Sequence, residues 1–270
     1  MGSHKRQSIH IDSIHEPHNP VKAGAMSVKL LPGILPCLAA AMLSACGGGG
    51  SGPPQGVILG ASPAGIWRGM DSTTGLAVVG LIDATGEAEF TRSDNALFSG
   101  ALSTAEDNSI SAAGQAYALN QSADNSSSGS WTMHGTLKER QTLSVTLSVT
   151  TTAGTQTEDT LELTFDPLYD QPSSLTSLNG EFAQPNTLPY EVSNGTIALS
   201  ELICEGNGQF SIIDAAHDLY RVQMTTRCDN GEQSSWTGLA TLDTSVSPEH
   251  LLVGWSGGGS GDSEDWILQD

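Results

Sequence analysis

The sequence predicts an all-β protein, an antiparallel barrel or sandwich built as two similar small modules behind a secretion signal and a glycine-rich tether. Three observations carry this. Leu143, Val145, Leu147 and Val149 alternate with Ser144, Thr146 and Ser148, and Leu161, Leu163 and Phe165 alternate with Glu162, Thr164 and Asp166. A period of two marks strands with one buried and one wet face. Clusters such as Asp83-Ala84-Thr85-Gly86 and Ser193-Asn194-Gly195 punctuate these runs, as hairpin turns do. No segment shows a helical apolar stripe, and 31 glycines with 5% aromatic residues set the chain apart from helical bundles and coiled coils.

Taken in order along the chain, residues 30–43 form the only long apolar run, interrupted by Pro32, Gly33 and Pro36. A bilayer-spanning helix needs about 20 such residues, so this run is too short to cross. Lys29 precedes it and Leu43-Ser44-Ala45-Cys46 follows, the layout of a secretory signal. That ending resembles the lipobox of bacterial lipoproteins, and the resemblance covers residues 26–46. It implies that Cys46 carries a thioether-linked diacylglycerol, that the chain is cut before it, and that the new amino group is acylated with a fatty acid such as palmitate. Two or three acyl chains anchor stably where one does not. Gly47, rather than Asp, follows the lipidated position, which in this family implies sorting to the outer membrane. The expected orientation faces the periplasm. An ordinary signal peptide with Cys46 as a free thiol is the competing reading.

Residues 1–25 hold His4, His10, His15 and His18 and fit no secretory leader, so the expectation is that the chain starts at Met26 or that the upstream stretch is discarded with the signal. A segment removed before folding holds no structural metal. The expected organisation is an upstream segment and signal over 1–45, a lipidated tether over 46–61, and β-modules over 62–172 and 173–270. Gly47 to Pro54 reads Gly-Gly-Gly-Gly-Ser-Gly-Pro-Pro, a flexible coil, with the folded part expected from about Ser62.

Gly65-Ile66-Trp67-Arg68 opens the first module and Gly180-Glu181-Phe182 the second, a weak internal repeat. Between them Asp166-Pro167-Leu168-Tyr169-Asp170-Gln171-Pro172 is rich in chain breakers. Gly-x-Trp at the head of a first strand is similar to lipocalin-like barrels, which implies a barrel rather than a flat sandwich. One continuous two-sheet sandwich is the alternative.

With Cys37 removed and Cys46 lipidated, Cys204 and Cys228 remain, and in an oxidising periplasm two thiols form one disulfide. A hairpin register supports the pair. With Asp214 to Asp218 as the loop, Ile212 faces Tyr220, Phe210 faces Val222, Gly208 faces Met224 and Cys204 faces Cys228. These positions share one face, and that face is apolar. Arg221, Gln223 and Ser211 point away. Because a one-residue slip would invert every side chain, agreement between apolar and cysteine pairing fixes the register.

The sequence offers no catalytic constellation. Gly254-Trp255-Ser256-Gly257-Gly258 matches the G-x-S-x-G nucleophile pattern, but that chemistry needs a strand-to-helix elbow followed by an acid and a His. Here no His follows His250, so the run is read as a flexible loop before a last strand at Trp266-Ile267-Leu268. His134, His217 and His250 lack metal-ligand spacing to cysteine, so no metal and no cofactor are expected. The acidic stretches Asp229-Asn230-Gly231-Glu232 and Asp262-Ser263-Glu264-Asp265 do not have the spacing of a calcium loop and are read as solvated turns. Trp67, Trp131, Trp236, Trp255 and Trp266 are read as core, with Trp255, beside glycines, as the one to check for exposure.

Charge narrows the partners. From Cys46 onward six Lys and Arg face twenty-eight Asp and Glu, a net −22. Nucleic acid is excluded, since phosphate contacts need a basic face. The expected role is a non-enzymatic, lipid-anchored envelope protein with a binding or structural function, its membrane contact made through the anchor. The alternative is an inhibitor or immunity protein for a basic cell-wall hydrolase, which such a charge would steer. The small-molecule ligand is not predicted.

Overall fold

In a computed structural model, residues 54–119, 128–184, 189–200 and 204–269 are described. They form two closed, antiparallel, eight-stranded barrels. The first runs in strict chain order through β1 (Gly65–Asp71), β2 (Ala77–Ile82), β3 (Glu87–Arg92), β4 (Leu97–Thr104), β5 (Ser109–Tyr117), β6 (Gly129–Lys138), β7 (Thr142–Thr151) and β8 (Gln156–Asp166). It closes where β8 pairs with β1, Trp67 opposite Phe165. The second comprises β9 (Gly180–Ala183), β10 (Tyr190–Ser193), β11 (Thr196–Ser200), β12 (Cys204–Ile212), β13 (Tyr220–Cys228), β14 (Gln233–Asp243), β15 (His250–Gly257) and β16 (Ser260–Leu268). It closes where β16 pairs with β9, Leu268 opposite Phe182.

The breaker-rich link folds as two short 3-10 turns, Pro167–Asp170 and Leu175–Leu178. Each is capped from the preceding residue, since Asp166 accepts from the Leu168 amide and Ser174 from the Thr176 amide. The turn after β10 is a two-residue hairpin turn at Asn194 and Gly195, with φ of 47° and 80°. Both residues must be left-handed there, which is why an Asn-Gly pair occupies it.

Period-two alternation becomes an inside and an outside. Trp67, Phe90, Phe98 and Trp131 fill the first barrel, the Phe90 and Phe98 rings lying edge-on to Trp131 at 6.1 and 6.4 Å. Phe182, Phe210, Tyr220, Trp255 and Trp266 fill the second. Eight strands enclose a space that side chains fill. Each fully buried Phe or Leu contributes about 1.5–3 kcal/mol. Outside stand Ser144, Thr146 and Thr150 of β7 and Glu158, Thr160 and Glu162 of β8, exposed or half-buried. This polarity is the inverse of a membrane-spanning barrel, which is apolar outside and polar within.

The Cys204–Cys228 hairpin has the register argued from the sequence, with Phe210 opposite Val222 and Cys204 opposite Cys228, and the two sulfurs are bonded. Ile212 is the exception on its face: at the strand's end it is 38% exposed.

Three expectations are corrected. Gly254 to Gly257 is not a flexible loop but the end of β15, and β16 begins at Ser260, well before Trp266. The glycines there serve close approach: a Cβ on Gly254 would lie 3.2 Å from both Cβ of Glu89 and Cδ1 of Leu97, in the other barrel. Asp262 to Asp265 consequently lies within a strand, where alternate side chains point to opposite faces, and cannot converge on one ion. The chain is also held before Ser62, because the Gly56 amide donates to Thr85, the Leu59 amide to Thr104, and Ile58 bridges Thr104.

Candidate functional site: the seam between the barrels

The outward faces of β2 to β5 meet the outward faces of β14 to β16. Strands that pack on both sides need apolar residues in both phases. Ala77-Val78-Val79-Gly80-Leu81-Ile82 has them: Val78 and Ile82 enter the first core, while Leu81 and half-buried Val79 face outward. Leu81 joins Ile66, Leu168, Tyr169, Leu219 and Leu239 in a buried cluster between the barrels.

Charged pairs flank that cluster. Arg221 of β13 reaches Asp83 at 3.0 Å and also bonds Glu87, whose side chains are 1% and 2% exposed. Burial pushes the Glu87 carboxyl above its ordinary range, and the guanidinium opposes this without cancelling it. On β1, Arg68 pairs with Asp166 and, across the seam, with Asp243 at 2.8 Å.

A hydroxyl and carboxyl chain also crosses the seam. Glu89 of β3 is wholly buried and accepts from Ser99 Oγ of β4 at 2.9 Å. Ser99 Oγ also shares a hydrogen bond with Ser256 Oγ of β15 at 3.0 Å, and Ser256 bonds the Tyr117 hydroxyl. Burial, reinforced by the charge of Glu87, drives the Glu89 carboxyl well above its usual range, and its Oε2 has no partner among the described residues. A carboxyl so placed holds its proton where an exposed one would lose it.

Ser256 therefore sits near the end of a strand with hydroxyl partners, not on an elbow beside a base. His217 stacks on Tyr169 at 4.1 Å, and His250 pairs with Asp265 at 2.9 Å. Neither hydrogen-bonds Ser256. Trp255 is buried at 4% exposure, and Trp67, Trp131 and Trp266 lie in the cores, while Trp236 is half-buried. Asp229 to Glu232 folds as a turn tied by the Asn230 and Glu232 side chains. Cys46 lies outside the described residues. The arrangement fixes two barrels to each other.

No protein-family model matches the chain, and no curated protein does. Among solved structures, a crystal structure of "a putative outer membrane protein" from Bacteroides fragilis is similar at 12% identity. It covers 78% of this chain and 98% of its own, with a TM-score of 0.26.

The seam is what sequence reasoning missed. Its signals were present: an apolar strand in both phases at Ala77–Ile82, Leu239 out of phase with Gly238 and Ala240, and a glycine in mid-strand at Gly254.

Proposed function

We propose that the protein is a lipid-anchored envelope protein, held at the outer membrane through Cys46, that acts by binding or as a structural element and not by catalysis. The observation that carries this reading is Leu43-Ser44-Ala45-Cys46, followed at once by a Gly-rich tether into the first barrel. The polarity of the barrels supports it. With Ser, Thr and Glu outside and aromatic residues within, neither barrel has the surface of one that inserts into lipid, which agrees with attachment through an anchor. The disulfide agrees with an oxidising compartment. The filled interiors leave recognition to the barrel mouths and outer surfaces.

The test is fractionation of wild type and Cys46→Ala. Wild type is expected with the membranes, and the variant, if exported, in the soluble envelope fraction. An alanine variant that still sediments with lipid overturns the anchor.

The second reading is an inhibitor of a basic cell-wall hydrolase. One observation favours it. Glu181 of β9 stands directly opposite Glu191 of β10 on the outer face, beside a hollow also lined by Glu205. Like charges placed opposite each other on a sheet cost stability, and a cationic partner would relieve them. Retention of a basic protein from envelope extract at low but not high salt supports this reading, and no retention at either salt disfavours it.

A further inference from the structure

The inward faces of β1, β3 and β8 end, at one mouth of the first barrel, in Asp71, Arg92 and Asp159. Arg92 stands over the Phe98 ring, 5.8 Å from its centroid. Its guanidinium is shared by three carboxylates: Asp94 at 2.9 Å, Asp71 at 3.3 Å and Asp159 at 3.5 Å. One positive charge among three negative ones leaves the cluster short of cations. Asp94 is engaged by two guanidinium nitrogens, and Asp71 also accepts from the amides of Thr73 and Thr74.

Asp159 is held least. Its side chain is 8% exposed, and its contact with Arg92 is at the limit of a hydrogen bond. Burial first, then the charge of Asp71, push its carboxyl above the ordinary range, and the shared Arg92 opposes this without cancelling it. Asp159 also faces a hollow of about 330 Å3, with Phe98, Leu119 and Val149 as apolar lining, Thr157 as a hydroxyl beside it, and Arg92, already shared by the three carboxylates, on its wall. A concave apolar surface with a few converging polar groups is the form of a small-molecule site.

We propose that this mouth binds a small amphiphile with a primary ammonium head, the head on Asp159 and a short alkyl chain against Leu119 and Val149. An ammonium is a compact charge with three donors, suited to a carboxylate beside a hydroxyl. An anionic head meets the surplus negative charge, and a neutral head leaves Asp159 with only its shared, 3.5 Å contact to Arg92. The site lies wholly in the first barrel and is independent of any anchor at Cys46.

The experiment titrates the purified protein with hexylammonium chloride, hexanol and sodium hexanoate, read by calorimetry and by methyl NMR shifts at Leu119 and Val149. Hexylammonium is expected to bind saturably and shift both residues, hexanol to bind at least about tenfold more weakly, and hexanoate not to bind. Asp159→Asn is expected to weaken hexylammonium by at least about tenfold. Ala153→Phe, at an exposed turn on the rim of the hollow, is expected to block it. Hexanol binding as tightly as hexylammonium, an undiminished Asn variant, or no saturable binding overturns the proposal. Should the Asn variant not fold, Ala153→Phe decides, because retained binding with the mouth filled is equally fatal.

Discussion

Arg221 of the second barrel donates to Asp83 of the first at 3.0 Å, and the same nitrogen also serves Glu87. Both acids are almost fully buried, while the arginine keeps a quarter of its side chain in solvent. Removing the cation would strand two carboxylates in the seam. Arg221→Ala is expected to lower unfolding stability by about 3 kcal/mol, the cost of breaking a buried pair from one side. Guanidinium denaturation measures it, and an unchanged midpoint would show that the pair holds nothing.

Gly254 tests the apolar side of the same contact. A Cβ added there would lie 3.2 Å from Glu89 and Leu97, so the two methyl groups of a valine have nowhere to go without parting the barrels. Gly254→Val is expected to cost about 1–3 kcal/mol by overpacking. Stability equal to wild type would mean that the barrels are not in close register at β15.

The disulfide constrains a loop with a sequence separation of 24. On the chain-entropy relation that corresponds to about 3–4 kcal/mol. At about 2–4 °C per kcal/mol for a protein of this size, the Cys204→Ser/Cys228→Ser variant should melt roughly 6–16 °C lower. A thermal scan that overlays wild type would contradict this.

The hairpin from Cys204 to Cys228 was legible because everything that sets its register is local: a short loop, alternating apolar residues, and two cysteines at matching positions. The closed barrels followed from the same alternation repeated along the chain, although alternation alone did not separate a barrel from a sandwich. The seam was obscured for a physical reason. Glu89 and Arg221 look like ordinary wet-face residues, and only a second barrel against that face makes Glu89 buried and Arg221 half-buried. Gly254 to Gly257 misled in the other direction, since glycine in a strand looks like a loop until the neighbour it makes room for is known. The mouth of the first barrel combines Asp71, Arg92 and Asp159 from distant strands, and no spacing in the sequence announces that meeting.

Asp218 gives a pH signature. Burial raises its carboxyl to about 6, against the opposing hydrogen bonds from Thr241 and the Leu242 amide. An unfolded aspartate titrates near about 3.9, so between these values the folded protein binds the extra proton. The stabilising contribution is therefore complete below about pH 4 and is lost as pH rises through about 6, by about 3 kcal/mol at most. Glu87, Glu89, Asp159 and Asp262 are raised too and act in the same direction. Comparing unfolding free energies at pH 4 and 7, wild type should lose more than Asp218→Asn. Parallel profiles would show that Asp218 is not the titrating group.

Membrane attachment without membrane insertion is the core of this account, and the mass of the N-terminal peptide of the protein recovered from cells reads it most directly. The expected peptide begins at Cys46 and carries a diacylglycerol together with an amide-linked fatty acid. A peptide that begins elsewhere, retains His4 or His15, or shows Cys46 as a bare thiol would contradict it.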